Sequence, residues 1–236
     1  IVSYTGSVSA MSTVSWAQLD TNTGAIDDAN PGSGTCSGWC TATAYNLPAP
    51  RGSLSLVAYN GFLYAIGGED SSCTTANGTG DSSVCKTVYI AKLGANGEPR
   101  LWSPTSTDQS MWTYWYRDTD LTSPRSFTSA VAYNNRMYLL GGKTSSGGTA
   151  SITNTAQVAD ITATGQLGSW STSATLPYAV YGHSAQVYND RLYLIGGDSS
   201  IGGTPLSSVY YIKINSDGTL NSWIQTSSFS GGGNRL

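Results

Sequence analysis

The feature that most constrains this chain is an internal repeat. The pattern Tyr-x-x-Gly-Gly occurs three times, with its tyrosines at Tyr64, Tyr138 and Tyr193. A leucine stands 20 residues before the first glycine of each copy, at Leu47, Leu121 and Leu176. Such self-similarity is the signature of an architecture built by stacking copies of one supersecondary unit. We therefore expect the fold to be set by the unit and by how its copies pack.

Each copy divides into four short apolar segments separated by turns. In the third copy, residues 184–188 alternate apolar and polar side chains, and an Asn-Asp pair then provides a tight hairpin turn. Residues 191–195 form a second segment that ends at the double glycine, where the backbone passes close to a neighbour or takes positive φ. Segments 209–214 and 220–223 complete four antiparallel strands, which we name A to D in chain order.

The second half of the unit repeats as regularly as the first. The last apolar residue of strand C, a turn glycine and a tryptophan keep one spacing, at Leu93/Gly97/Trp102, Ile161/Gly165/Trp170 and Ile214/Gly218/Trp223. Four antiparallel strands in about 50 residues are typical of a β-propeller blade. One such sheet cannot bury both of its faces, so blades stack around an axis. The repeated tyrosines and tryptophans are predicted to pack between blades.

These residues resemble the kelch family over about residues 47–228. The resemblance rests on the double glycine after an apolar strand, the tyrosine before it, the later tryptophan, and Leu-Pro and Arg near the start of the copies. It implies an all-β, kelch-like β-propeller with three complete four-stranded blades plus one incomplete N-terminal blade. Kelch propellers include both enzymes and binding modules, so the resemblance implies no single function. Galactose-oxidase-like kelch enzymes bind copper through two His and two Tyr, and this chain has one His.

The repeats divide one propeller domain into four parts. These are residues 1–46 with a Cys36/Cys40 insert, 47–120 with a Cys73/Cys85 loop and an aromatic insert, 121–175, and 176–236 with the start of a next strand. In the first part, strand B is expected at 1–6 and strand C at 14–19, with strand D either at 26–30 or after Trp39. The chain is interpreted as part of a longer ring, in preference to a closed four-bladed ring or two copies that complete one another.

An aromatic stretch supplies the strongest candidates for ligand binding. The connection after Trp102 is longer by 13 residues than its counterpart after Trp170, and we assign it to the face that carries the B–C loops and D–A connections. Its candidate residues are Trp112, Tyr114, Trp115, Tyr116 and Arg117. These rings either stack on sugars or a partner, or fold down as a cap over the blade edge. Trp39, in the cysteine insert, is a further candidate.

Arg51 and Arg125 recur at one position, directly before strand A. They either point into the central channel as ligand-binding residues or bond to backbone carbonyls at the start of the blade. The third copy has Val180 at this position, which weakens a symmetric site. His183, the only histidine, is predicted to be a structural hydrogen-bonding residue, and one histidine supports neither a histidine-rich metal site nor paired-imidazole chemistry.

The four cysteines form two close pairs, Cys36/Cys40 and Cys73/Cys85, in polar surroundings without zinc-site spacing. Two local disulfides are predicted, which places the protein in an extracellular, cell-surface or periplasmic compartment. Charged residues make up 11% of the chain and the net charge is -3, so neither a nucleic-acid partner nor membrane insertion is expected.

The favoured function is a secreted or cell-surface binding module that recognises a glycan or a protein through the B–C and D–A loop face. One alternative is an extracellular carbohydrate-active kelch enzyme of mutarotase or lyase type, and another is a structural repeat domain of a large surface assembly. No catalytic residues are assigned, and no cofactor is expected. Loop aspartates could hold Ca²⁺, but no Ca²⁺-loop motif is present. A second copy or further blades could complete the ring.

Overall fold

The structure is a computed structural model that describes residues 11–16, 40–41, 43–71, 73, 83–95, 97–144 and 152–230. Regular structure in these ranges is β-strand, with 3₁₀ turns at Thr43–Tyr45 and Gln109–Met111. None of the described helical segments is long or apolar enough to cross a membrane. The predicted all-β fold with its blade sheets is confirmed.

The strands group into four sheets that follow the chain. The incomplete N-terminal blade contains β1 (Ser15–Trp16) and β2 (Cys40–Thr41). Blade 1 contains β3 (Ser55–Tyr59), β4 (Phe62–Ile66), β5 (Val88–Leu93), β6 (Pro99–Arg100) and β7 (Tyr116–Arg117). Blade 2 contains β8 (Ser129–Tyr133), β9 (Arg136–Leu140), β10 (Thr155–Asp160) and β11 (Ser171–Thr175). Blade 3 contains β12 (Ser184–Tyr188), β13 (Arg191–Ile195), β14 (Val209–Lys213) and β15 (Ile224–Thr226).

The hairpins follow from the turn residues. Strands A and B of each blade are joined by two residues that both have positive φ, for example 52° at Asn189 and 57° at Asp190. Such turns match the right-handed twist of the flanking strands, and Asn and Asp tolerate this conformation better than most residues. The resulting pairing runs from Tyr188 with Arg191 to Ser184 with Ile195. Strand D of blade 3 begins at Ile224, after Trp223 rather than before it as expected.

Three apolar clusters lie between neighbouring blades. Strand A is innermost, and β8 lies between β3 and β12. The cluster between blades 1 and 2 includes Tyr64, Trp102 and Trp170. The cluster between blades 2 and 3 includes Tyr138, and the cluster between blade 1 and the N-terminal blade includes Trp115. The predicted packing of the repeated aromatics between blades is confirmed for Tyr64, Tyr138, Trp102 and Trp170.

The double glycine is required because blades meet there. At Gly67 φ is +64°, and an added Cβ would lie 2.3 Å from the carbonyl oxygen of Arg125 in blade 2. At Gly141 φ is +54°, and the added Cβ would lie 2.5 Å from the carbonyl oxygen of Val180 in blade 3. No side chain fits so close to a backbone oxygen, so glycine here allows one blade to close against the next.

The N-terminal blade follows the second of the two sequence alternatives. Its strands pair with Trp16 opposite Cys40, so the outer strand begins directly after Trp39 in the sequence. The outer strand of blade 2 likewise begins directly after its tryptophan, with Ser171 opposite Val158. The strands expected at 1–6 and 26–30 lie outside the described residues, as do Trp39 and Cys36, so the predicted Cys36–Cys40 bond is not described.

Candidate functional site

The aromatic insert lies within the outer strand of blade 1. The two segments β6 and β7 both pair with β5, with Arg100 opposite Lys92 and Arg117 opposite Tyr89. Strand D is therefore interrupted by residues 101–115, which we call the aromatic insert. The expected position in the D–A connection is wrong, because strand D resumes after the insert. The insert consequently leaves the outer edge of the blade, away from the central axis.

Trp115 is the blade tryptophan of blade 1. Its Nε1 donates to the carbonyl of Tyr45 at 2.8 Å, as Trp170 donates to the carbonyl of Thr119 at 3.2 Å. Both acceptors stand two residues before the first leucine of the blade. Trp102, which the spacing had assigned to this role, instead packs between the rings of Phe62 and Tyr116, at 5.4 and 6.0 Å between centroids. The sequence signal that identifies the blade tryptophan is its distance of six residues from the next leucine, from Trp115 to Leu121 and from Trp170 to Leu176.

The insert is held together by its own polar groups. Trp102 and Thr113 exchange two backbone hydrogen bonds of 3.0 Å and so close its base. The carboxylate of Asp108 accepts bonds from the Ser110 amide and hydroxyl and thereby caps the 3₁₀ turn. The indole Nε1 of Trp112 donates to the Ser106 carbonyl at 3.1 Å. The Trp112 ring is therefore fixed in place before any ligand arrives.

An open groove of about 320 Å³ lies between the insert and the chain entering blade 1. It is lined by Ala44, Asn46, Pro48, Leu101, Trp112, Thr113, Tyr114 and Trp115, and we call it the aromatic groove. At one side the ring of Tyr114 meets that of Tyr45 edge to face, with 4.9 Å between centroids. Burial, together with the neighbouring Tyr114, raises the pKa of Tyr45, so its hydroxyl remains protonated at neutral pH.

The other two candidates of the aromatic stretch point away from the groove. Tyr116 packs on Trp102 in the core between blades. Arg117 forms an exposed ion pair with Asp120, 2.9 Å between Nη2 and Oδ2. The carboxylate of the following residue, Asp118, accepts a hydrogen bond from the Leu167 amide of blade 2. Burial is the main cause that raises the pKa of this carboxyl. The sequence thus predicted one cluster, whereas the structure brings only Trp112, Tyr114 and Trp115 together.

Arg51 and Arg125 are buried at the starts of their blades. The Nη1 of Arg51 donates to the Gly67 carbonyl at 3.0 Å, and its guanidinium lies 5.1 Å from the centre of the Tyr89 ring. Arg125 donates to the Pro124 carbonyl at 2.9 Å and to the Thr155 hydroxyl at 2.7 Å. Burial lowers the pKa of Arg125 to about 10. These contacts match the backbone-bonding alternative, and burial leaves neither guanidinium displayed to a ligand.

His183 is buried, and no described residue makes the hydrogen bond predicted for it. Within the described ranges neither ring nitrogen has a hydrogen-bond partner. Its Cε1 lies 3.1 Å from the position that a Cβ on Gly141 would occupy, so the ring fills space at the junction of blades 2 and 3. Burial lowers the pKa of His183 to about 4, because the charged imidazolium would lose its water.

The position directly after each double glycine carries charged groups that the sequence reasoning did not single out. The Nζ of Lys143 lies 4.4 Å from the centre of the Phe127 ring and 4.7 Å from that of Tyr181. Glu69, at the same position in blade 1, accepts the Ser126 hydroxyl of blade 2 at 2.7 Å. Both contacts link neighbouring blades at the mouth of the B–C loops. In the sequence, these two residues could have been found because each directly follows a double glycine.

The loop after Glu69 is tied by the predicted Cys73–Cys85 disulfide. The two Cα atoms are 5.1 Å apart, and both side chains are buried. Across the described ranges, His, Cys, Asp and Glu side chains do not form a group of three that could hold a metal ion.

Comparisons with known proteins agree with this architecture. Residues 179–217 match the family model described as the Kelch motif. Over 152 residues the chain is 28% identical to Kelch repeat protein M-T8 of Myxoma virus (strain Lausanne), a match that covers 64% of this chain and 23% of that protein. The solved structure titled "Structure of YjhT" superposes with a TM-score of 0.63 at 16% identity, over 94% of this chain and 62% of the other. The chain thus spans about a quarter of the length of the viral protein and about three fifths of the length of the solved structure.

Proposed function

We propose that this chain is a kelch-repeat β-propeller that acts as a protein-binding module, and that its aromatic groove binds an extended polypeptide segment. Kelch repeat proteins generally mediate protein binding. The observation that supports this groove as the contact surface is the aromatic insert, because neither blade 2 nor blade 3 interrupts its outer strand in this way. The insert surrounds a concave surface with rings whose orientation is already fixed.

The chemistry of the groove suits a polypeptide. Its lining includes Leu101, which is 49% exposed, together with Pro48 and Trp112. Aromatic and apolar walls accommodate apolar or proline side chains, as in other grooves that bind extended peptides. The carboxamide of Asn46 also lines the groove and can both donate to and accept from a peptide backbone. Fixed aromatic rings are the residue type most often responsible for binding energy at interfaces.

A glycan is the second candidate ligand. Trp112 and Tyr114 are partly exposed flat rings about a groove, and such rings stack on the apolar faces of sugars. The exposed Leu101 in the lining favours the polypeptide, because its side chain offers a sugar no hydrogen bonds. A polypeptide would use the apolar lining of the groove, whereas a sugar would use its flat rings, and the experiment below distinguishes the two ligands.

We further propose that the protein works in an oxidising compartment, outside the cytoplasm. The support is the buried Cys73–Cys85 disulfide, since disulfides persist in secreted and periplasmic proteins and are rare in the cytosol. Thiol titration of the protein purified under non-reducing conditions from its native source tests this proposal. Free thiols at Cys73 and Cys85 in that material would contradict it.

The binding proposal is tested by selecting ligands from a displayed random-peptide library and by probing a glycan array with the same protein. We expect peptide ligands whose affinity falls about tenfold or more in Trp112→Ala. Ile201→Ala, which truncates a side chain that is 55% exposed on blade 3, is the control and is expected to bind as wild type.

Trp112→Phe keeps a ring in the groove and is expected to retain most of the affinity, which distinguishes lost contact from misfolding. Glycan binding that is lost in Trp112→Ala, without peptide binding, would replace the polypeptide by a sugar ligand. Ligands bound equally by wild type, Trp112→Ala and Tyr114→Ala would remove the groove from the proposal.

A further inference from the structure

The hydrogen-bonding groups on the walls of the aromatic groove are mostly used inside the protein. The indole Nε1 of Trp112 donates to the Ser106 carbonyl at 3.1 Å, and that of Trp115 donates to the Tyr45 carbonyl at 2.8 Å. The Thr113 hydroxyl donates to the carbonyl of Trp115 at 2.9 Å. Each bond occupies a carbonyl acceptor as well as a donor. A ligand whose backbone amides enter the groove therefore finds few acceptors to replace the water that they lose.

The walls also lack a strand edge to which a peptide could add as a further β-strand. Residues 43–48 and 101–115 are described throughout, and they contain 3₁₀ turns but no strand. Trp102 and Thr113 already use their backbone groups on each other, and Pro48 has no amide to offer. Addition of a β-strand derives its affinity from main-chain hydrogen bonds. The groove therefore suits a segment that binds through its side chains.

Proline is the residue whose backbone suits such walls. It carries no N–H, so its burial against aromatic rings leaves no amide without a partner. Consecutive prolines form a polyproline II helix, which is already rigid and loses little entropy on binding. Its carbonyls remain available to donors at the groove, such as the Asn46 carboxamide and the Tyr114 hydroxyl. Aromatic-lined grooves bind such segments in other domains.

The charge on the groove segments is negative. Across residues 43–50 and 101–115, Asp108 is the one charged residue. Its carboxylate accepts hydrogen bonds from the Ser110 amide and hydroxyl, and these bonds hold the pKa of Asp108 below its usual range. Asp108 is therefore ionised at neutral pH. It stands two residues after Ser106, whose carbonyl fixes the ring of Trp112.

Glu98 adds a second carboxylate near the groove, on the side of Tyr45. Burial and the neighbouring Tyr114 raise the pKa of Tyr45, and the negative charge of Glu98 raises it further, as expected for a carboxylate close to the tyrosine hydroxyl. Glu98 makes no ion pair with a cation of the described residues, although Arg100 follows it on β6. A ligand with a basic side chain beside its prolines complements both carboxylates.

We propose that the aromatic groove binds a proline-rich polyproline II segment with a lysine or arginine directly beside its prolines. This assignment rests on the peptide-binding function proposed above and specifies its ligand. The prolines pack on the fixed ring of Trp112 and on Tyr114, and the basic side chain lies toward Asp108 and Glu98. Contact with the rings supplies most of the affinity, because a charge pair at an exposed carboxylate contributes little. The charges determine mainly which proline-rich segments bind.

The proposal is tested by fluorescence anisotropy with three labelled peptides and the whole chain. The first peptide has about eight prolines, which span about 25 Å as polyproline II, followed by two arginines. The second ends in two glutamates instead. The third keeps the arginines and replaces the prolines by alternating glycine and serine. We expect the first peptide to bind, the second to bind about fivefold more weakly, and the third about tenfold or more weakly.

Asp108→Asn removes the charge and keeps a side-chain oxygen for the turn, so the insert stays folded. It is expected to weaken the arginine peptide about two- to fivefold and not to weaken the glutamate peptide. Asp217→Asn is the matched control, because Asp217 accepts the amide and hydroxyl of Thr219 in the same way on blade 3. That variant is expected to bind as wild type. Trp112→Ala is expected to weaken the arginine peptide about tenfold or more.

Equal binding of the proline and the glycine-serine peptides would overturn the proposal, as would binding of the proline peptide that Trp112→Ala leaves unchanged. Equal effects of Asp108→Asn and Asp217→Asn would overturn the role given to the charge. Selection of library peptides without proline that depend on Trp112, while the proline peptide does not bind, would overturn this assignment and leave the proposed function standing. Absence of binding by the library as well as by the three peptides would remove both.

Discussion

The indole Nε1 of Trp115 donates to the carbonyl oxygen of Tyr45 over 2.8 Å, across 70 residues of chain. This bond fixes the outer strand of blade 1 to the segment that enters the blade. It also identifies Trp115 as the tryptophan that belongs to the repeat. The aromatic groove lies between the insert and the segment entering blade 1, which this bond holds together.

Trp115→Phe is expected to destabilise the protein more than Trp112→Phe. The first change leaves the partly buried Tyr45 carbonyl without its donor, which costs about 1 kcal/mol, and replaces a ring that is only 5% exposed by a smaller one. The second frees the Ser106 carbonyl in the insert, where water can replace the indole. Urea unfolding followed by circular dichroism measures both. Equal losses would show that Trp115 has no special structural role.

Gly67→Ala is expected to destabilise by about 3 kcal/mol or more, since its Cβ meets the Arg125 carbonyl and φ is positive. Gly202→Ala is the control, because Gly202 also has a positive φ of +72° but no described atom lies within 4 Å of its added Cβ. That change is expected to cost about 1 kcal/mol, the conformational part alone. The difference between the two unfolding free energies measures the contact between blades. Similar losses would contradict the close approach of blades 1 and 2.

Removing the disulfide with Cys73→Ala and Cys85→Ala together is expected to destabilise the protein by about 2–4 kcal/mol. The bond closes a loop with a sequence separation of 12, and its loss increases the freedom of the unfolded chain. Denaturant unfolding under oxidising conditions checks the loss against wild type. An unchanged midpoint would show that the loop after Glu69 is held by its other contacts.

His183 is expected to make the protein less stable in acid. Its pKa is about 4 in the folded protein and 6.5 in the unfolded chain, so only the unfolded chain takes up the proton as the pH falls between these values. The corresponding stability is fully present above pH 6.5 and is lost as the pH falls through 4. The loss attributable to His183 is about 3 kcal/mol.

The measurement compares the unfolding free energies of wild type and His183→Leu between pH 7 and pH 4. The leucine variant does not titrate at this position, so the difference between the two proteins should shift in its favour in acid. Carboxyl groups titrate in both proteins and cancel in the comparison. A difference that is constant with pH would show that His183 is not buried as described.

Most of the blade architecture could be read from local patterns. The Asn-Asp turn before Arg191, the strand that ends at Ile195 and the double glycine after it lie within a few residues of one another, and their chemistry permits few conformations. The pairing of Cys73 with Cys85 also followed from their proximity in sequence. In these cases the physical cause is local, so the sequence alone determined strands, turns, blade number and this disulfide.

The site depended on contacts between distant residues. Only the tertiary structure decided that Trp115 rather than Trp102 faces the blade entrance, that Arg51 and Arg125 turn inward to oxygen acceptors, and that His183 lies buried without a described partner. Spacing along a strand says which residues alternate, but not which side a neighbouring blade will cover. That choice is made by packing between blades, where backbone oxygens and apolar rings from remote parts of the chain compete for the same space.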